Sequence, residues 1–257
     1  SPTDWEHAHR NTGGWHTPLE YEKTFHVIGM TDGVKSTDTM LVQGGWDSSN
    51  APGQSNSIRT FRQAGQVHLT SADSADNRTP RSGRFYQNSI MVESAEYDSS
   101  TPCAAELVTH HDGPLVGMTC SRLSGYRGVD WDRNLFWRRG KYFVVVDVCH
   151  LTRSGPMTIV NQWWNPNVPA IQGNRWVANT DSAQFQLVMA NPGSVSSQAL
   201  SRAGPYQLTQ TKNLVGRAGQ RVSFMNMFYV ASREEDKRYE VRLASPGVMV
   251  VKGSDNG

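Results

Sequence analysis

Short apolar or alternating runs, each broken by Gly, Pro, Asn or Asp, recur along nearly the whole chain. Runs of this kind read as strands and the punctuation between them as turns. The strands expected are TMLVQG (39–44), SIRTFRQ (57–63), QVHLTS (66–71), NSIMVES (88–94), AELVTH (105–110) and LVGMTCSRL (115–123). They continue with RNLFWRR (133–139), KYFVVVDVCHL (141–151), MTIVNQWW (157–164), AQFQLVMA (183–190), RVSFMNMFYVA (221–231), RYEVRLA (238–244) and GVMVVKG (247–253). No segment holds a helical apolar period for several turns, so no substantial helix is expected.

Two turn signals separate consecutive runs and predict hairpins: Asp112-Gly113 and Arg139-Gly140. Strand after antiparallel strand, with a turn roughly every 8–12 residues, points to an all-β fold of stacked antiparallel sheets. The apolar faces must meet another sheet, because a lone sheet leaves one of them wet. A Pro/Asn/Gly-rich stretch, NPNVPAIQGNRWVANTDS (165–182), predicts a connector. It divides a main β-sandwich over 21–165 from a smaller C-terminal β-sheet over 166–257, packed on the sandwich or continuing it; 1–20 is a leading segment.

Composition narrows the function classes. The 257 residues include 25 Lys+Arg against 23 Asp+Glu, a net charge of +2, and the basic residues are scattered. There is no basic stripe of the kind that binds nucleic acid. No apolar run approaches the roughly 20 residues that cross a bilayer. The polar start, SPTDWEHAHR, has no signal-peptide core, so an export signal has been removed or the chain begins inside a longer protein. Cys103, Cys120 and Cys149 lack metal-ligand spacing. A hairpin centred on Asp112-Gly113 would bring Cys103 and Cys120 within about two residues of register and allow a disulfide between them.

The order of elements resembles the C-terminal β-sandwich region of the heparinase II/III-like polysaccharide lyases. Four stretches carry the resemblance: EYEKTFHVIGMTDGVKSTDTMLVQGGW (20–46), SNSIRTFRQAGQVHLTSAD (55–73), FYQNSIMVES (85–94) and GVDWDRNLFWRRGKYFVVVDVCHL (128–151). The last is similar to the family's Trp-x-Arg strand, basic-Gly turn and long apolar strand ending in Asp, a core hairpin and not a site. The resemblance implies a large supersandwich, and a helical toroid domain on its N-terminal side, of which 1–20 would be the tail. It also implies an acidic, uronate-containing polysaccharide as partner and a secreted or periplasmic location.

The family's reaction is β-elimination, which needs a neutralised carboxylate, a base for the C5 proton and an acid for the leaving oxygen. A metal ion in the sandwich commonly supports that cleft. The family's metal segment follows the pattern His-x-His-x-Asp-x-Asn. Its matched positions here are Asn50, Pro52, Gln54 and Asn56, and the family's His-Asn becomes Gln87-Asn88. Every matched imidazole is gone, and amides are poor zinc ligands, so no Zn2+ is expected. Asp73 matches a retained family carboxylate. A Ca2+ ion on oxygens of Asp73, Asn50 and Gln87 is the remaining option. Tyr86 is the nearest phenol for an acid or base role.

Sugar binding asks for less than catalysis: an aromatic face for the pyranose C–H groups, with amides and Arg forks for its hydroxyls and carboxylates. If the family fold holds, Trp46, Asn50, Gln54, Arg84, Tyr86, Gln87 and Asn88 converge from two loops. Other candidates have plainer readings. His110-His111-Asp112 sits on a turn, where adjacent side chains diverge. His7, His9 and His16 lie in the leading segment, and His68 and His150 read as strand residues with satisfied hydrogen bonds. Asp130 and Asp132 share a strand face by spacing alone, and of Trp163 and Trp164 one is expected inside and one outside. Three readings follow: a carbohydrate-recognising or scaffolding sandwich that has discarded the chemistry, the sandwich part of a lyase that is incompetent alone, and an active enzyme by another mechanism.

Overall fold

The computed structural model describes residues 23–35, 37–46, 55–71, 87–94, 102, 104–200, 205–232, 238–245 and 248–253. Every regular element among them is a strand. The first five are β1 (Val27–Thr31), β2 (Met40–Gly44), β3 (Ser57–Gln63), β4 (Gln66–Thr70) and β5 (Ile90–Glu93). Then come β6 (Glu106–Asp112), β7 (Val116–Tyr126), β8 (Val129–Arg138), β9 (Tyr142–Leu151) and β10 (Gly155–Asn165). The second half adds β11 (Pro169–Gln172), β12 (Arg175–Asn179), β13 (Ala183–Met189), β14 (Ser194–Ala199) and β15 (Tyr206–Gly216). It closes with β16 (Arg221–Ser232), β17 (Tyr239–Ser245) and β18 (Val248–Gly253).

One layer is an eight-stranded sheet in the order β11-β12-β13-β16-β9-β8-β7-β6. Two four-stranded sheets face it, β1-β2-β3-β4 and β14-β15-β10-β5. An Ile58–Asn88 bridge and the Asn165 amide, which donates to the His68 carbonyl at 2.7 Å, join the two smaller sheets. The long strands β8 and β9 alternate strictly between buried and half-buried positions, the period-two pattern of a sheet with one face in the core. Their inward residues pack with Leu41, Phe61 and Leu69 toward one end and with Ile90, Val92 and Ile159 toward the other. The β17–β18 hairpin covers part of the opposite face through Tyr239 and Val241, which pack on Val188, Met227 and Tyr229.

The all-β antiparallel sandwich expected from the sequence is the fold observed. The 165–182 stretch, read as a connector, instead forms β11 and β12 at the edge of the large sheet. Strands from both sides of residue 165 share the same sheets, so the chain from 166 onward continues the sandwich, and β17–β18 forms a small sheet of its own. Trp163 and Trp164 are both buried, because the C-terminal half of β10, from Ile159 to Asn165, is covered on both faces.

The β6–β7 hairpin departs from its expected turn. Asp112 pairs with Gly117, and the Gly113 N–H donates to Val116 O, so the loop lies one step beyond Asp112-Gly113. Pro114 is the reason. A two-residue Asp-Gly turn needs a donor from residue 114, and proline has none. The new register sets Cys120 opposite Thr109, and Cys120 carries a free thiol. The register that suggested a Cys103–Cys120 disulfide is therefore not the one formed; Cys103 lies outside the described residues. The Arg139-Gly140 hairpin forms as read, with Gly140 at a φ of 70° and the Lys141 N–H donating to Arg138 O.

Candidate functional site

The candidate site grows from one core-facing pair. Arg133 on β8 and Asp147 on β9 are directly opposed and fully buried. The guanidinium donates through Nε and Nη2 to the two Asp147 oxygens at 2.8 and 3.0 Å. The Trp131 indole N–H and the Asn161 amide donate to the same carboxylate at 2.8 and 2.7 Å. Two buried charges are thereby paired and further hydrogen-bonded, which burial of charge requires.

The remaining Arg133 amine reaches across to the facing sheets. Nη1 donates to Asn56 O at 3.1 Å and to Asn88 O at 2.7 Å. Asn56 ends the segment that carries Asn50 and Gln54. Asn88 ends the segment that carries Arg84 and Tyr86. One buried cation thus holds Asn56 and Asn88 beside each other. Asn56 has a φ of 62°, a left-handed conformation that asparagine tolerates better than most residues. Its amide donates to Trp131 O, and its Oδ1 accepts from Gln43 and Ser121.

Asn88 is fully buried; its amide donates to Ile58 O and Thr70 O and its Oδ1 accepts from the Trp164 N–H, so the side chain is committed to the fold. Gln87 is buried, accepts from the Ser71 hydroxyl at 2.6 Å, and offers its carbonyl to Gln162. Trp46 is half-buried, bridges to Ala104 and stacks on exposed His26 with ring centroids 5.3 Å apart. Gly45 sets this corner, since a Cβ there would collide with the Phe25 carbonyl. Asn50, Gln54, Asp73, Arg84 and Tyr86 lie outside the described residues, as do His7, His9 and His16.

The described members of the matched metal segments do not fit a metal ion. The oxygens of Asn56, Gln87 and Asn88 each already accept a protein hydrogen bond. No group of three metal-ligating side chains occurs among the described residues. His110, His111 and Asp112 end strand β6 and do not sit on the turn, and Asp112 pairs with Arg139. On the outer face of the large sheet, Asp132 holds Arg122 at 2.6 Å and His150 at 2.9 Å, and Asp130 accepts from the Gly125 N–H. His68 hydrogen-bonds Gln63 O at 3.2 Å through Nε2, and its burial pulls the imidazole down to about 4. Its Nδ1 finds no partner among the described residues.

Arg133 and Asp147 read in the sequence as core-hairpin residues, without the contacts to Asn56 and Asn88 that the fold gives Arg133. The signal was present. Counted from the Gly140 turn, each residue lies seven positions away, which makes them cross-strand partners.

No family model matches the chain, and no curated protein matches it. Solved structures do. A heparan sulfate lyase HepC mutant from Pedobacter heparinus superposes with a TM-score of 0.67 at 12% identity, over 88% of this chain and 41% of that one. This chain has the fold of the heparinase III β-sandwich. Another heparinase III structure gives 0.63 at 12% identity, over 90% of this chain and 40% of that one. The chain therefore spans about 40% of the length of these lyases. The Slr1438 protein from Synechocystis sp. PCC 6803 gives 0.54 at 7% identity and is covered over 100% of its length, so the same sandwich makes up an entire chain there.

Proposed function

We propose that this heparinase-like β-sandwich recognises a uronate-containing polysaccharide at the corner formed by Trp46 and the two segments that Arg133 joins, and performs no elimination by itself. The observation that supports this most is the double donation from Arg133 Nη1 to Asn56 O and Asn88 O. It sets Asn56 and Asn88 beside each other, and the matched positions Asn50 and Gln54 precede the first in sequence as Arg84 and Tyr86 precede the second. Trp46 supplies an aromatic face for a sugar ring, and Arg84 a fork for its carboxylate. No imidazole stands at any position matched to the lyase metal segment, so the metal support of an elimination cleft is missing there, and elimination would need groups supplied by a helical domain of the same protein beside Tyr86. A secreted or periplasmic bacterial setting suits such a polymer. No helix among the described residues is long and apolar enough to cross a membrane.

A second reading, a stand-alone binding or scaffolding module, draws on the Synechocystis protein in which the sandwich makes up the whole chain. One experiment separates it from a lyase. Heparan sulfate and a neutral glucan are incubated with the isolated chain, and both binding and near-ultraviolet absorbance are followed. Selective binding of heparan sulfate without growth of the unsaturated-uronate signal is expected. Growth of that signal would overturn the assignment of incompetence, and equal binding of the two polymers would overturn uronate recognition.

A further inference from the structure

We infer that the outer face of the β14-β15-β10-β5 sheet carries a second ligand site, at its β5 end, that takes an amino-bearing sugar ring. Three polar side chains stand there in one row across three strands. Thr158 on β10 is paired with Glu93 on β5 and with Asn213 on β15, and directly paired residues share a sheet face. Its neighbours Met157 and Ile159 point into the core, so the row faces outward. Two residues back along β10, on the same outer face, Pro156 is paired with Val215. Glu93, Asn213 and Pro156 are exposed, and Val215 is 77% exposed. These residues line an open groove of about 730 Å³, within the size range of ligand sites.

Each member of the row has a definite hydrogen-bonding capacity. Thr158 Oγ1 donates to Asn213 Oδ1 at 2.7 Å, which leaves the Asn213 amine free to donate outward. The Glu93 carboxylate makes no ion pair or hydrogen bond among the described residues. A carboxylate only accepts, so a ligand group seated beside it must donate. The Pro156–Val215 pair forms an apolar step roughly 7 Å along the strands from the polar row. A sugar ring spans the two: its C–H groups cover Pro156 and Val215, and its polar substituents meet Asn213 and Glu93.

Charge then selects the amine. Glu93 is the one ionisable side chain among the described residues that line the groove. Cations on neighbouring elements are turned to backbone carbonyls. Arg127 donates through Nη1 to Val92 O, and Lys212 donates through Nζ to Ser223 O and lies over the Phe224 ring in the core. An acidic sugar would therefore meet an unneutralised carboxylate. An ammonium group forms a charge-assisted hydrogen bond with it, stronger than any that a hydroxyl makes. The groove thus differs from the Trp46 corner in place and in the charge of its ligand, and it does not rest on the uronate reading.

The test uses the full chain with methyl-labelled valine, the Val215 signals being assigned with Val215→Ile. Glucosamine, N-acetylglucosamine, ethanolamine and glucuronate are titrated in turn. Glucosamine is expected to shift the Val215 methyls saturably. Glu93→Gln is expected to weaken that binding at least fivefold and to leave the melting temperature unchanged, because the carboxylate is exposed and has no partner to lose. N-acetylglucosamine keeps the ring without the charge, and ethanolamine keeps the amine without the ring; each is expected to bind at least fivefold more weakly than glucosamine. Absence of a Val215 shift with glucosamine, equal binding of either control, binding unchanged in Glu93→Gln, or a preference for glucuronate would each overturn the inference. Trp46→Ala is expected to leave the Val215 response as it is while heparan sulfate binding falls, so the failure of one reading leaves the other standing.

Discussion

Arg133 and Asp147 oppose each other across the β8–β9 hairpin, both with no exposed side-chain surface, and the arginine of the pair also holds Asn56 and Asn88. A buried pair adds little net stability over an apolar pair of the same shape, but removing one partner strands the other charge. Asp147→Asn is therefore expected to cost about 3–5 kcal/mol in urea unfolding. A loss below about 1 kcal/mol, within the range of exposed pairs, would mean that the pair is not desolvated as described.

His68 gives the fold an acid-sensitive component. It stacks on Phe185 and packs against Phe61, and burial lowers its imidazole from 6.5 to about 4. The unfolded chain takes up this proton more readily than the folded one. The contribution to stability is thus complete above about pH 6.5 and is lost as the pH falls toward 4. Over that window it amounts to about 3 kcal/mol. His68→Phe keeps a ring between Phe61 and Phe185 and cannot protonate. Its urea midpoint is expected to fall less between pH 7 and pH 4.5 than that of the parent chain. Equal falls would contradict the burial assigned to this imidazole.

The thiols give a third check. Cys149 is fully buried and its thiol is pushed well up by desolvation, with the nearby Asp147 charge acting in the same direction. Cys120 is half-buried, and burial raises its thiol too. Since the thiolate is the reactive form, Cys149 is expected to resist a thiol reagent in the native chain and to react in denaturant. With Cys120 and Cys149 both free, the denatured, unreduced chain is expected to show three thiols. A count of one would mean that a disulfide forms.

Much of the fold was legible because the strands obey simple alternation. SIRTFRQ was expected over 57–63, and β3 spans those residues. The elements that escaped notice break the pattern for physical reasons. β15 carries Gln207 and Gln210 at buried positions, where their amides pair with Gln162 and Asn226. Buried amides satisfied by other amides look like surface residues in a sequence. β14 is mostly exposed, and β11 begins with Pro169 at a sheet edge, where a missing donor is tolerated. At the site, the identities of Gln87 and Asn88 could be read, but not their commitment. The targets of Asn88 are backbone groups of Ile58, Thr70 and Trp164, which lie far away in sequence.

The Trp46 corner is proposed to hold a uronate-containing polymer. The most direct measurement is the affinity of the chain for heparan sulfate before and after Trp46→Ala, with the melting temperature followed in parallel. Trp46 is half-buried and stacks on an exposed residue, so its loss is expected to leave the fold intact. A drop in affinity of at least tenfold, about 1.4 kcal/mol, is expected, with little change in melting temperature. Unchanged affinity in a folded Trp46→Ala chain would contradict it.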